Sequence, residues 1–360
     1  MVTFRDLALP SRAEVWRQLR GLRVSPPGAA VSRDRAAVFQ AALEQSQQLM
    51  EAAEISGYAS RPIQLFYALA QGGRAIAAAS PLLPLSIEIP DEQNSGQQVF
   101  REIPWRLEGH GIKAPGIKVR SVGKVVIKAE GTGLLPGVAR ALGAEIMPPN
   151  VKITLADIWD LIPEAKAVPL RTRTSTPVLC AEGGAEKPTH DDGYYTMTLG
   201  YVPPMVQKNW VNDPQELQRF LASYPSLAGW TFPLADSTPQ WQPYGSTDAL
   251  SLSLNWRWPA PGTPEYEHTA RELKATRYRG FDDWWVFPAL PGMTAPLHPI
   301  IAWWGTLFGL SMLARYAPDT WAHLIRIDDG GDANATEHLL DAALDVVPAL
   351  VLEAIMTVSP

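Results

Sequence analysis

The 360-residue chain is long enough for one large domain or two ordinary ones. Its formal net charge of -6 argues against broad electrostatic attachment to nucleic acid, which needs concentrated lysine and arginine, while leaving room for a local basic patch. One cysteine, Cys180, excludes a disulfide within the chain and fits a reducing cytosol; the stretch MVTFRDLALPSRAEVW lacks the apolar core of a signal peptide, so a cytoplasmic location is expected.

Arg12 to Leu22 reads as a short helix with Val15, Trp16 and Leu19 on one face, broken by Pro26, Pro27 and Gly28. From Ser32 to Ser56 the sequence is strongly helical. Val38, Ala41, Ala42, Gln45, Leu49 and Ala52 step round one face, and Gly57 is placed to end the helix in a left-handed conformation. Ser60 is positioned as a cap, and Pro62 in the first turn, of a third helix, RPIQLFYALAQGGRAIAAA. Ile63, Phe66, Tyr67 and Ala70 share a face there, with Arg74 eleven residues past Ile63. Gly72 and Gly73 would each weaken a helix by about 1 kcal/mol relative to alanine. Their small size is therefore read as room for another helix to approach.

Beyond Pro81 proline and glycine become frequent and short alternating segments replace helices. Ile117–Ser121 and Lys124–Ala129 read as a strand pair around the Val122–Gly123 turn, and ITLADIWDLIPEA as a short helix capped at Thr154 and closed by Pro163. Tyr194–Val202 alternates as a strand, Asp213–Ala222 as a helix, and Asp283–Leu290 as another strand. Leu250–Trp258 is the cleanest strand: Leu250, Leu252, Leu254, Trp256 and Trp258 point one way, and the residues between them the other.

The longest apolar run, Leu297 to His323, organises the rest. Pro299 suits a first helical turn and Pro318 stops the helix. A helix apolar most of the way round is either buried in a large core or spans a membrane. This one barely reaches the roughly 20 residues a span requires and has no basic anchor beyond it, so the core is expected and no membrane partner. Arg315 lies eleven residues after Trp304, about three turns on and near the same azimuth. It either snorkels outward or pairs with a buried carboxylate. Asp319 is read as the cap of a short helix carrying Trp321 and Leu324, IDDGGDANA as a solvated acidic turn, and Thr336 as the start of a final helix bent at Pro348. The expected architecture is α+β. Residues 1–80 and 297–360 form one helical bundle, with a β-rich middle, 81–296, inserted in it or packed on it. The stripes ending at Arg74 and Arg315 could face each other.

His110 is flanked by glycines in GHGI, which would let a ligand approach the backbone closely; a loop histidine in a turn is the simpler reading. His298 reads as a cap. Thr189, His190, Asp191 and Asp192 include metal-ligand types without the paired spacing of a zinc site, and Asp328, Asp329 and Asp332 lack the order of a calcium loop, so no metal is expected. No phosphate-binding glycine motif and no nucleophile elbow occurs, so no cofactor is expected. Of Trp284 and Trp285, adjacent on one strand, only one can face inward; with Trp241, Trp256 and Trp258 they could form a docking surface or a core.

Several segments, in order, resemble the YaaC-like family of bacterial proteins: SRPIQLFYALAQGGRA, GHGI at Gly109–Ile112, LADIWDLIPE at Leu155–Glu164, LFGLSMLARYAPDTW at Leu307–Trp321 and VVPALVLEAI at Val346–Ile355. The resemblance covers both ends and the early middle, not Arg171 to Met293. It implies a cytosolic protein of a family without a settled enzymatic assignment. By fold analogy the helical ends are also similar to HEPN-type bundles of nucleases and of antiviral and toxin systems. Nuclease members of that group place a histidine closely after an arginine; here Arg315 and His323 lie further apart, with Pro318 between them.

The expected function is a non-catalytic binding or regulatory protein acting through a protein partner or self-association. The alternative is a HEPN-like ribonuclease or toxin component of a bacterial antiviral defence system, with Arg74, Arg315 and His323 or His110 assembled in space. The candidate binding residues are Arg61, Tyr67, Arg74, His110, Arg315, Tyr316 and His323.

Overall fold

The computed structural model describes residues 10–90, 98–149, 151–182, 194–227, 238–245, 248–257, 264, 278, 284–329 and 331–359. They form two compact units: a helical unit of Pro10–Trp159, Val168–Thr172 and His298–Pro360, and a sheet unit of Asp160–Ala167 and Arg173–Leu297.

Helix α1 spans Arg12–Val24, with the Ser11 hydroxyl accepting from the Glu14 N–H at 3.2 Å, and buries Val15, Trp16 and Leu19 as expected. In α2, Arg33–Ile55, the buried face is Phe39, Ala42, Leu43, Ser46, Met50 and Ala53, about one residue out of phase with the expected stripe. In an alanine-rich helix the few large side chains decide which face turns inward, because they bring the most apolar area. The end of α2 also differs from expectation: Ser56 is extended and Gly57 is not left-handed. The carbonyls of Ala53 and Ser56 accept instead from the Arg61 Nε, at 3.0 and 3.1 Å, so the orphaned helix end needs no glycine turn. Helix α3, Arg61–Ala79, carries Pro62 in its first turn, but the Ser60 hydroxyl makes no capping bond.

The early middle holds a two-stranded antiparallel sheet, β1 (Leu85–Pro90) with β2 (Gln98–Ile103). A three-stranded sheet follows, from β3 (Ile112–Gly116), β4 (Val126–Ala129) and β5 (Ile153–Thr154). The partner of β4 is thus 112–116 and not Ile117–Ser121, and Val122–Lys124 is a 3-10 turn. Val122 and Gly123 are buried there, and the Val122 N–H is spent on a side chain and not on a ladder. Helix α4, Leu134–Ala141, was hidden by a sequence (LLPGVA) that looks like a turn. Helix α5, Leu155–Trp159, starts as expected: the Thr154 N–H donates to Asp157 at 2.9 Å and the Asp157 N–H to the Thr154 hydroxyl at 3.3 Å.

The sheet unit is a five-stranded antiparallel sheet. Its members are β6 (Leu179–Glu182), β7 (Tyr194–Val202), β8 (Gln240–Pro243), β9 (Leu250–Arg257) and β10 (Trp284–Val286), in the order β10-β6-β7-β9-β8. Helices α6 (Pro204–Asn212, not expected) and α7 (Gln215–Ala222) belong to the same unit. Leu179, Leu199, Val202, Leu217, Phe220 and Leu252 share its core. Trp258 lies outside the described residues.

The C-terminal helices are α8 (Pro299–Tyr316), α9 (Pro318–Leu324) and α10 (Ala333–Val358). Asp319 sits in the first turn of α9 without capping it. Helix α10 begins before Thr336, because the Asp332 carbonyl accepts from both the Thr336 N–H, at 2.9 Å, and its hydroxyl, at 2.8 Å. It continues through Pro348. Head and tail of the chain join in one helical body, with α3 packed against α2, α4, α8 and α10. The glycines explain how. A Cβ on Gly72 would lie 2.6 Å from Val351, and one on Gly73 2.5 Å from the Trp304 ring. The architecture is α+β, helical at both ends with antiparallel sheets between. Among the described residues no helix is long and apolar enough to cross a membrane.

Candidate functional site

Gly109 and Gly111 both have left-handed backbone, with φ of 67° and 71°. The carbonyls of Gly109 and His110 accept from the Leu134 and Leu135 N–H groups at 3.1 and 3.0 Å, capping α4, and the Gly111 carbonyl accepts from Glu130 at 2.9 Å. A Cβ on Gly111 would lie 2.4 Å from Pro136 and 2.9 Å from the Thr132 carbonyl oxygen. Only glycine fits this crossing, so His110 is presented from a pinned loop and not a mobile turn. Its ring packs edge-on against Phe66 at 5.4 Å between centroids, with Tyr67 at 6.2 Å and Phe308 at 6.1 Å.

The two arginine stripes converge on this histidine. Arg315 donates from Nη1 to the Tyr67 hydroxyl at 3.0 Å and from Nη2 to the Tyr316 hydroxyl at 2.8 Å. Its guanidinium lies over both rings, 5.6 Å from Tyr67 and 4.8 Å from Tyr316. Arg74 donates to Gln71 at 3.2 Å. Among the described residues neither arginine forms an ion pair, so Arg315 is held by tyrosine hydroxyls and not by the buried carboxylate that was one expectation. Tyr67, Arg74, His110 and Arg315 are all half-buried, and Tyr316 is exposed.

Burial holds the His110 imidazole below its ordinary pKa, and the positive charges of Arg315 and then Arg74 push it down further. It is therefore neutral near pH 7, and it makes no hydrogen bond to a described residue. Burial also lowers Arg74. The site thus offers two cations without a counterion among the described residues, a phenol and a neutral imidazole. Such a set can hold an anion and pass or accept one proton.

The other sequence candidates lie elsewhere. Arg61 is nearly buried; besides holding the end of α2 it pairs with Asp341 on α10 and stacks on Tyr58 at 4.5 Å, which makes it a staple between helices. His323 lines a separate cavity with Arg120, Lys124 and Arg171. Asp332, expected in a solvated acidic turn, is buried and accepts hydrogen bonds from the Ser121 hydroxyl, the Val122 N–H and the Arg171 N–H. These donors are far apart in the chain, so no local pattern could have shown them. His298 caps α8 as expected, its Nδ1 accepting from the Ile300 N–H at 3.3 Å.

The cluster Thr189–Asp192 lies outside the described residues, and among those described no group of three histidine, cysteine or acidic side chains could hold a metal. Trp159, Trp285, Trp303, Trp304 and Trp321 are core residues, which accounts for much of the tryptophan surplus.

The model of one protein family, described as YaaC-like Protein, matches residues 13–355, nearly the whole chain. No curated protein and no solved structure matches it.

Proposed function

The chain belongs to the YaaC-like family, and from the geometry of its site we propose that it is a cytoplasmic binding protein whose ligand is an anionic group, supplied by a partner protein or a second copy and held between Arg74 and Arg315 beside His110. One observation carries this reading: Arg315 is bonded to Tyr67, whose ring packs near His110, the charges of Arg315 and Arg74 both act on that imidazole, and no carboxylate of the described residues answers them. Guanidinium forks match phosphate and carboxylate groups, and the half-buried setting strengthens the attraction relative to water. The pinned Gly109–Gly111 loop keeps the imidazole in place without a ligand, so little ordering is required on binding.

Titration of the full chain with inorganic phosphate and with acetate, followed through the His110 ring signals, tests this. Saturable shifts that weaken at least tenfold in Arg315→Gln and in Arg74→Gln are expected. Identical titrations in wild type and both variants would remove the site from the function.

A second reading is the HEPN-like ribonuclease, favoured by the neutral imidazole beside the two cations. In it, His110 would take the proton of a ribose 2′-hydroxyl. The freed oxygen would attack phosphorus, and the P–O5′ bond would break, with a proton from water completing the 5′-hydroxyl. Arg74 and Arg315 would stabilise the charge building on phosphorus. RNA cleavage by the wild type that is lost in folded His110→Gln protein would select this reading over plain binding.

A further inference from the structure

A second cationic concavity in the helical unit uses none of those residues. Arg120, Lys124 and Arg171 line a cavity of about 280 Å³, together with His323 and Arg326. Three distant stretches of chain meet there, and Asp332 joins them. Its Oδ2 accepts from the Ser121 hydroxyl at 2.9 Å and the Val122 N–H at 3.1 Å, and its Oδ1 from the Arg171 N–H at 3.2 Å. The same residue occupies the N-cap position of α10. The turn carrying Arg120 and Lys124, the strand of chain at Arg171 and the start of α10 are thus fixed in one frame before any ligand arrives.

Asp332 is the one carboxylate lining the cavity, and its oxygens are already engaged by three donors. Among the described residues the side chains of Arg120, Lys124 and Arg171 make no ion pair, and all three are exposed toward solvent. Asp332 offsets one charge, and in a chain of net charge -6 the side chains of Arg120, Lys124 and Arg171 still leave the concavity positive. Ser121, Thr172, Leu324 and Gly331 complete the wall.

We propose that this cavity is a binding site for a small phosphate-bearing ligand. Forked guanidiniums from Arg120 and Arg171 suit tetrahedral phosphate oxygens, and Lys124 adds a point charge. The volume sits at the lower end of small-molecule pockets, which roughly span 300–1,000 Å³, and a concave site of that size admits a small ligand and not a polynucleotide track.

Inorganic pyrophosphate is the probe, titrated calorimetrically into the full chain at low and at moderate salt. In Arg74→Gln/Arg315→Gln protein, where the proposed His110 site is silenced, one saturable site is expected; it should be at least tenfold weaker when Arg120→Gln/Arg171→Gln is added and several-fold weaker when Lys124→Gln is added. The Arg74→Gln/Arg315→Gln background separates this cavity from the His110 site. Both Arg171 substitution and Lys124 substitution leave the backbone bonds to Asp332 intact, and unchanged thermal unfolding checks that the variants fold. The proposal is overturned if pyrophosphate does not saturate in that background, if adding the folded Arg120→Gln/Arg171→Gln substitutions leaves binding unchanged, or if only single-stranded RNA binds.

Discussion

Each unit takes charge out of water, and the two do it differently. In the sheet unit, the buried amine of Lys166 lies 3.9 Å from Asp160, and Arg173 Nε lies 3.7 Å from the same carboxylate oxygen. Asp160 also accepts from the Thr174 N–H at 2.9 Å, and the Lys166 amine faces the Tyr201 ring at 5.8 Å. In the helical unit, the charges of Arg315 and Arg74 act on His110, and neither arginine forms an ion pair with a described residue. With Asp248 on the Arg173 guanidinium at 3.3 Å, two carboxylates face two cations, and the cluster is balanced within the fold. The cations acting on His110 have no such counterion among the described residues. That contrast, more than any motif, marks the His110 cluster as the place to look for function.

The largest effect should come from breaking the complete cluster. Asp160→Asn leaves Lys166 and Arg173 without their shared counterion, and removing one partner of a buried ion pair costs about 3–5 kcal/mol. Arg315→Gln or Arg74→Gln strands no carboxylate, so each should change stability by less than about 1 kcal/mol. Chemical denaturation of the three variants measures both. Equal losses would mean that the arginines have a structural counterion after all, and the contrast would fail.

Acid offers a second, slightly smaller effect. Burial pushes His298 down to about 4 from 6.5, and its neutral Nδ1 caps α8. The unfolded chain therefore binds the proton more tightly, so the contribution of this residue is intact above pH 6.5 and is lost as pH falls toward 4. At about 1.4 kcal/mol per pH unit the full loss is about 3 kcal/mol. His298→Asn keeps a capping acceptor and should flatten this part of the pH–stability curve. Lys166 acts at the other end. Burial pushes it down to about 7, against the pull of Asp160, so the unfolded chain holds the extra proton between pH 7 and 10.5. Stability should rise with pH across that window, and Lys166→Met should remove the slope.

Much of the helical unit was legible because its signals are local. Pro299, Pro318 and the all-round apolar surface of α8 mark a buried helix, and Gly72–Gly73 mark the close approach of Val351 and Trp304. The phase of α2 was not legible, since alanines on neighbouring faces look alike and Phe39, Leu43 and Met50 decide the matter only through packing. Helix α4 was not expected, since Pro136 and Gly137 disfavour a helix, yet Leu107 packs where a Gly137 side chain would stand. For the site, the arginine stripes gave Arg74, Tyr67 and Arg315, and the glycines gave His110. The matching spacing of the two stripes suggested that they face each other; what could not be read was that Arg61 serves the helix ends instead. The Asp332 frame was invisible because its donors come from positions 121, 122 and 171.

The smallest effect is the most direct reading of the contrast, because it reports charge at the His110 ring without disturbing the fold. In wild type the ring should titrate below pH 6.5, for three reasons of decreasing size: burial, Arg315 and Arg74. Arg315→Gln should raise the midpoint, and Arg74→Gln should raise it less. The ring proton signals of His110, assigned by comparison with His110→Gln, follow this across pH 4 to 8. A bound anion works in the same direction by cancelling the guanidinium charges, so saturating phosphate should also raise the midpoint in wild type and do less in Arg315→Gln. If the midpoint ignores both substitutions and the anion, burial alone sets it. The two arginines would then be ordinary snorkelling cations, and the His110 cluster would lose the property that separates it from Asp160, Lys166 and Arg173.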